Sequence, residues 1–227
     1  MKFIIPATIP RAALITGGSR QSGIVDALAD AGFAIALQCH PGEEPDPPLS
    51  AVLLPADLSV ESQTEALLGR ATEALGSIGV LVNAANTLGR DMLGDETRAT
   101  WDMHIETNLR APFILIQQFA KALAPPLEGV VINLLDQRLC PHLVSYTLSK
   151  AALWTLTQTM ALALAPRIRV NGIAPELALN IRRNQTARTP DGGTIPEEIG
   201  RAALAILALP SMTGQMIIPN GIPPAAA

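Results

Sequence analysis

Seven short apolar runs constrain this chain more than any other feature, because they do not alternate. They fall at residues 12–16, 33–37, 51–54, 80–82, 130–134, 168–171 and 216–218. A strand with one wet face alternates apolar and polar side chains. A nearly continuous apolar run is buried on both faces, which is the pattern of a parallel sheet covered by helices. Helical stretches separate the runs. They are expected at 22–31, 61–75, 96–108, 111–124, 145–165 and from Pro196 onward. In the second of these, Ala66, Leu67, Ala71 and Leu75 recur at helical spacing. Gly32, the Pro125-Pro126 pair and Pro166 supply stops, and Pro196 is suited to a first helical turn. Strand and helix alternating this regularly imply a doubly wound α/β fold with helices on both faces. Residues 1–227 are expected to form a single domain, with loop at 41–48, where four prolines meet three acids.

Composition narrows the function classes. At 227 residues and 48% hydrophobic, the chain can bury a large core without staples. Cys39 and Cys140 are its only cysteines and do not cluster, so neither a disulfide framework nor a metal site is expected. A net charge of -4 argues against a nucleic-acid or anionic-membrane surface. No apolar run approaches the ~20 residues of a membrane span. The first ten residues lack the apolar core of a secretory signal. The expectation is a soluble cytoplasmic protein acting on a small molecule.

The first run leads into Thr16-Gly17-Gly18-Ser19-Arg20-Gln21-Ser22-Gly23 and then a helix. Glycines allow a tight turn that brings backbone N–H groups and a helix N-terminus against a pyrophosphate. Alone this is a weak signal. The end of the second run adds to it. Enzymes that use NAD place an acid there for the ribose 2′-OH, whereas this chain has Gln38-Cys39-His40. Arg20 and His40 could instead meet a 2′-phosphate, so NADPH is expected over NADH. An ordinary solvated loop cation is the competing reading of Arg20.

Tyr146, the only tyrosine, precedes Lys150 by four residues at the start of a predicted helix. That spacing puts both on one helical face, roughly 5–6 Å apart. A free tyrosine titrates near ~10. A neighbouring ammonium favours the phenolate, which would make Tyr146 a usable proton donor to a substrate accepting hydride. A Tyr-x-x-x-Lys spacing by itself is usually an ordinary helix surface. Here it follows the 130–134 run in a chain that opens with a glycine turn.

With these pieces together, the chain resembles a short-chain dehydrogenase/reductase over essentially its full length, on a Rossmann-type sheet. The matching stretches are 16–23, Ala56-Asp57-Leu58, Leu81-Val82-Asn83-Ala84-Ala85, Thr107-Asn108-Leu109, Val131-Ile132-Asn133, Tyr146 to Ala151 and Arg169 to Pro175. The resemblance implies Tyr146 as acid and Lys150 as ribose binder and tuner of the tyrosine. It implies Asn108 as support for a proton-relay water. Gly17, Ser19, Arg20, Gly23, His40, Asp57, Leu58, Asn83, Ala84, Ala85 and Pro175 would line the cofactor, with Asp57 at the adenine. Relatives pair through the helices at 96–124 and 145–165, which implies a homotetramer or homodimer.

One departure bears on substrate. Three residues after Asn133, where the family carries serine, stands Asp136. With Arg20 and the His40 region this resembles the pteridine reductase branch. A pterin C=N bond takes hydride on carbon and a proton on ring nitrogen, which a carboxyl beside the tyrosine could help pass. Asp136 could equally be a loop cap or an ion-pair partner of Arg138. Other departures are Ala84 for an asparagine, Asn86 for a glycine, Glu176 after Pro175, a short 23–32 helix and a short stretch from Asp136 to Tyr146. They keep two alternatives open: a carbonyl reductase of 3-oxoacyl type, and a catalytically weak nucleotide-binding protein.

Overall fold

The computed structural model describes residues 3–17, 23–43, 51–175 and 196–219. Its strands are β1 (Ala12–Thr16), β2 (Ala34–Cys39), β3 (Val52–Pro55), β4 (Val80–Asn83), β5 (Gly129–Leu134), β6 (Ile168–Ile173) and β7 (Met216–Ile217). All pair in parallel, in the order β3-β2-β1-β4-β5-β6-β7. The helices are α1 (Ile24–Asp30), α2 (Glu61–Leu75), α3 (Arg98–Ile105), α4 (Ala111–Ala122), α5 (Val144–Leu164) and α6 (Pro196–Ala208). The doubly wound Rossmann-type fold is therefore present.

Strand geometry explains why the runs need no alternation. Successive side chains point to opposite faces, and both faces are dry. Ala13 and Ile15 of β1 pack with α1 and α6, while Ala12 and Leu14 pack on the other face with α2, α4 and α5. All five residues of β1 are buried. Each buried Leu or Ile contributes about 1.5–3 kcal/mol relative to exposure.

Most helix ends follow their predicted signals. α2 buries Thr64, Leu67, Leu68 and Ala71 and stops at Gly76, which takes a φ of 78°. The stretch expected as one helix over 96–108 behaves differently. A capping box of Thr97 and Thr100 starts α3 two residues late. A five-residue π-helical turn, Glu106–Arg110, then joins α3 to α4. The wider turn buries the Asn108 side chain, as such single turns often do at functional sites. The helix expected over 22–31 is a seven-residue α1, and β2 extends to Cys39, two residues past the predicted run.

β1 pairs with β2 on one side and β4 on the other. The chain direction across the sheet reverses there, and in such sheets the crevice beyond the carboxyl ends at that point takes ligands. Gly17, Asp57, Ala84, Asp136 and Ala174 all follow directly on, or close to, such strand ends.

Candidate active site

On the β1–β3 side the site is built from backbone. Gly17 turns at a φ of 65°, and a Cβ on it would fall 2.2 Å from Ala85 Cα. Only glycine lets the turn lie this closely on the end of β4. Gln38 holds the turn: Gly17 N–H donates to Gln38 Oε1 at 2.8 Å, and Gln38 Nε2 donates to Ala56 O at 2.7 Å. Thr16 Oγ1 accepts from the N–H groups of Ala84 and Ala85, both at 3.2 Å. Gly23, at a φ of 64°, caps α1 where a Cβ would meet Pro196 O at 1.8 Å. Asp57 accepts from the Ser59 N–H and hydroxyl, which hold its carboxyl below the usual range. Leu58, next in the chain, is buried.

His40 is exposed at the end of β2, beside Asp57. Its Nδ1 lies 2.9 Å from Pro41 O, its Nε2 lies 3.8 Å from Asp57 Oδ2, and its backbone N–H donates to Glu43 Oε2. Ser19 and Arg20 lie outside the described residues. Pro175, at the end of β6, is buried.

On the β4–β6 side the site is built from side chains. The buried stripe of α5 carries Ser145, Tyr146, Ser149, Lys150 and Thr157 among its apolar residues. Lys150 Nζ donates to Leu134 O at 3.1 Å and lies 5.9 Å from the Tyr146 ring centre. Asn108 clamps the backbone of Thr87, accepting from its N–H at 2.9 Å and donating to its carbonyl at 3.0 Å, and also donates to Ser149 Oγ at 3.2 Å.

Asp136 meets both groups the sequence offered it. Tyr146 Oη donates to Asp136 Oδ2 at 3.0 Å. Arg138 donates to the same carboxylate from its backbone N at 3.0 Å, its Nε at 2.9 Å and its Nη2 at 2.6 Å. The short stretch before Tyr146 therefore does bring the carboxylate to the hydroxyl. The Asp136 side chain is 4% exposed. Burial pushes its pKa up, but the Arg138 bonds and charge outweigh this and hold the carboxyl below the usual range.

That anion corrects one expectation. Lys150 was expected to draw the Tyr146 pKa down. Instead burial, then the Asp136 charge and its hydrogen bond, push it well above the ordinary value, against the Arg138 charge and a side-chain bond from Asn86. Lys150 is itself pushed down to about 8 by burial, with Asp136 opposing. An ammonium 5.9 Å from the ring centre does not offset a carboxylate hydrogen-bonded to the hydroxyl itself.

Sequence reasoning passed over Asp91, His104 and Ser145, all fully buried beside this group. Nothing in their spacing signals a cluster, since 54 positions separate Asp91 from Ser145. Among the described residues, no group of His, Cys, Asp and Glu could hold a metal ion, and no helix is long and apolar enough to cross a membrane.

The short chain dehydrogenase family model matches residues 11–188. Among solved structures, the FolM alternative dihydrofolate reductase 1 of Brucella canis, complexed with NADP, is similar at 35% identity with a TM-score of 0.82, covering 95% of each chain. The FolM alternative dihydrofolate reductase 1 of Brucella suis, in complex with NADP, is 36% identical with a TM-score of 0.80, covering 92% of this chain and 93% of that one. Among curated relatives, a 3-alpha-(or 20-beta)-hydroxysteroid dehydrogenase of Mycobacterium tuberculosis is 29% identical over 222 residues, 92% of this chain and 82% of the relative.

Proposed function

The chain belongs to the short chain dehydrogenase family of oxidoreductases, and from that premise we propose that it is an NADPH-dependent reductase of a pterin- or dihydrofolate-like C=N bond. The observation that carries this reading is the hydrogen bond from Tyr146 to Asp136, at the position where the wider family has serine. The names of the two Brucella structures support it.

The strand ends fit the cofactor. The Gly17 turn lies flat on Ala85 with no side chain between, so Gly17, Asp57, Leu58 and Asn83 to Ala85 form one rim for an adenosine and its phosphates. Gly23 and Pro175 flank it. β2 ends without an acid on its last residues, which favours NADPH, and Ser19, Arg20 and His40 are the residues assigned to its phosphates. Bound NADPH supplies the hydride. Lys150 holds the nicotinamide ribose, and Asn108 steadies the 87–108 side of the pocket and the path of the returning proton.

Tyr146 is the proton donor. Its raised pKa keeps it protonated at every physiological pH, so it is always loaded. A ring nitrogen that has just lost its double bond is far more basic than a phenolate, so the transfer runs downhill even from this tyrosine. The substrate nitrogen replaces Asp136 Oδ2 as acceptor of the Tyr146 O–H. Asp136, kept ionised by Arg138, is then free to accept a neighbouring N–H of the same ring. A ketone offers no such N–H.

The test is direct. Purified protein is mixed with NADPH and dihydrobiopterin or dihydrofolate, and loss of nicotinamide absorbance is followed. Steady consumption is expected, and Tyr146→Phe abolishes it. NADPH binding without reduction of any pterin, quinone or ketone would instead identify a nucleotide-binding protein. A second reading, carbonyl reduction, is favoured by the hydroxysteroid dehydrogenase relative. It predicts that Asp136→Ser keeps or improves ketone reduction, whereas the pterin reading predicts loss of pterin turnover. The exposed side of α5, carrying Leu148 and Leu162, is the surface we assign to pairing between copies of the chain. Sedimentation of the protein tests that assignment.

A further inference from the structure

Three buried polar side chains lie beside Tyr146 and take no part in the chemistry above. Asp91, His104 and Ser145 are each 0% exposed. They come from three segments: the stretch after β4, α3, and the first turn of α5. Asp91 Oδ2 accepts from the Ser145 backbone N–H at 2.6 Å and from the Ser145 hydroxyl. Ser145 Oγ lies 2.6 Å from His104 Nδ1. The Gly89 N–H donates to His104 Nε2 at 2.8 Å.

These contacts fix the protons. An imidazole nitrogen that accepts a hydrogen bond carries no proton, so a neutral His104 holds its proton on Nδ1 and donates to Ser145. The Ser145 hydroxyl is then free to donate to Asp91. Burial pushes His104 below the usual histidine range, with Asp91 opposing, which agrees with a neutral ring.

The cluster staples two segments that flank the proposed proton donor. Asp91 bridges in parallel to Leu143, and the Val144 N–H donates to Asp91 O at 3.2 Å. The Leu143 side chain provides no cap for α5. Asp91 supplies the acceptor from outside the helix, at the end where negative charge is favoured. The His104 ring meets the Tyr146 ring edge-on, with centres 6.0 Å apart and planes at 73°. Burying this group is costly, since Asp91 Oδ1 has no hydrogen-bond partner among the described residues. Apolar side chains at 104 and 145 would leave the Asp91 cap on the Ser145 N–H in place and would avoid burying two further polar groups. What the polar trio adds is a single defined position.

We propose that Asp91, Ser145 and His104 are positioning residues that set where the Tyr146 hydroxyl sits against Asp136. The inference rests on Tyr146 being the proton donor. His104→Leu, Ser145→Ala and the double variant test it, alongside Tyr146→Phe. A displacement on the order of 1 Å can cost ~100-fold, so kcat for the pterin substrate should fall about 10- to 100-fold. KM and NADPH affinity should stay close to the parent values. The double variant should lose no more than the worse single, because either change breaks the same connection.

Because Tyr146 is the only tyrosine, tyrosinate absorbance reports its surroundings without any substrate. Its titration midpoint should drop towards the ordinary value in His104→Leu, as the ring loses its fixed place against the Asp136 anion. Should the leucine variant not fold, two polar ones serve. His104→Asn keeps a donor near Ser145 and should retain most of kcat, while His104→Gln keeps only the Gly89 partner and should not. Lowered melting temperature with unchanged kcat and unchanged tyrosinate midpoint would overturn the proposal. Activity surviving in Tyr146→Phe would instead overturn the functional reading beneath it.

Discussion

The two rims of the crevice are made of different material. The β1–β3 rim is backbone: a glycine turn, strand-end N–H groups and small residues, tied together by Gln38 and Thr16. The β4–β6 rim is side chain: Asn108, Asp136, Tyr146 and Lys150, with Asp91, His104 and Ser145 behind them. A rim that binds a large common cofactor needs close approach and a few N–H groups. A rim that moves one proton needs particular groups at particular distances, and those must be buried and held against their own desolvation cost. Damage to the first should therefore appear in binding or folding, and damage to the second in turnover.

Tyr146→Phe breaks the comparison hardest. Loss of a general acid costs roughly 10²–10⁴-fold, so kcat should fall by that much while the NADPH dissociation constant, read by nicotinamide fluorescence, stays nearly constant. A comparable loss of NADPH affinity would mean that the rims are not separable.

Gly17→Ala makes the opposite cut. A side chain there has a φ of 65° and meets Ala85 Cα at 2.2 Å, and left-handed strain alone costs about 1–3 kcal/mol. NADPH affinity should weaken about tenfold or more, while kcat at saturating cofactor is largely kept.

Arg138→Met sharpens the catalytic side. Arg138 holds the Asp136 carboxyl down against a burial effect that pushes it up. Without the arginine, burial prevails and the pKa rises. Turnover that needs the Asp136 anion should then begin to fail at a higher pH than in the parent, with the acid limb of the kcat profile moving up. A depressed carboxyl stabilises the fold above its unfolded pKa of about 3.9 and loses that as pH falls through the folded value. The variant should lose this contribution, which acid titration of unfolding would show.

The smallest effect is expected from Gln38→Leu. The change leaves the Gly17 N–H and Ala56 O without their partner, which costs about 1–3 kcal/mol. Melting temperature should drop about 2–4 °C per kcal/mol at this chain length, with kcat unchanged at saturating NADPH.

The backbone rim could be read from sequence because its chemistry is local. A glycine turn after an apolar run, and an acid three residues past another, are contiguous features, and Thr16, Gly17, Asp57 and Asn83 all sit at or just past strand ends. The Tyr146–Lys150 pair was also legible, since one helix carries both. The polar cluster was not. Asp91 lies in a loop, His104 sits on what reads as an ordinary amphipathic helix, and Ser145 is one more small residue before Tyr146. The expected helix over 96–108 also hid the π turn that buries Asn108, because hydrophobic periodicity cannot register one extra residue per turn.

By itself, then, the sequence determined the parallel sheet, the order of its layers, and the candidates Tyr146, Lys150, Asn108 and Asp136. These follow from periodicity, from turn chemistry and from residue types a few positions apart. Only the tertiary structure decided what those residues are electrostatically. Asp136 is an anion because Arg138 reaches it, Tyr146 is held protonated because that anion and burial surround it, and Lys150 is weakened because no water does. A protonation state depends on every charge and every removed water within a few ångströms, and folding alone brings those neighbours together.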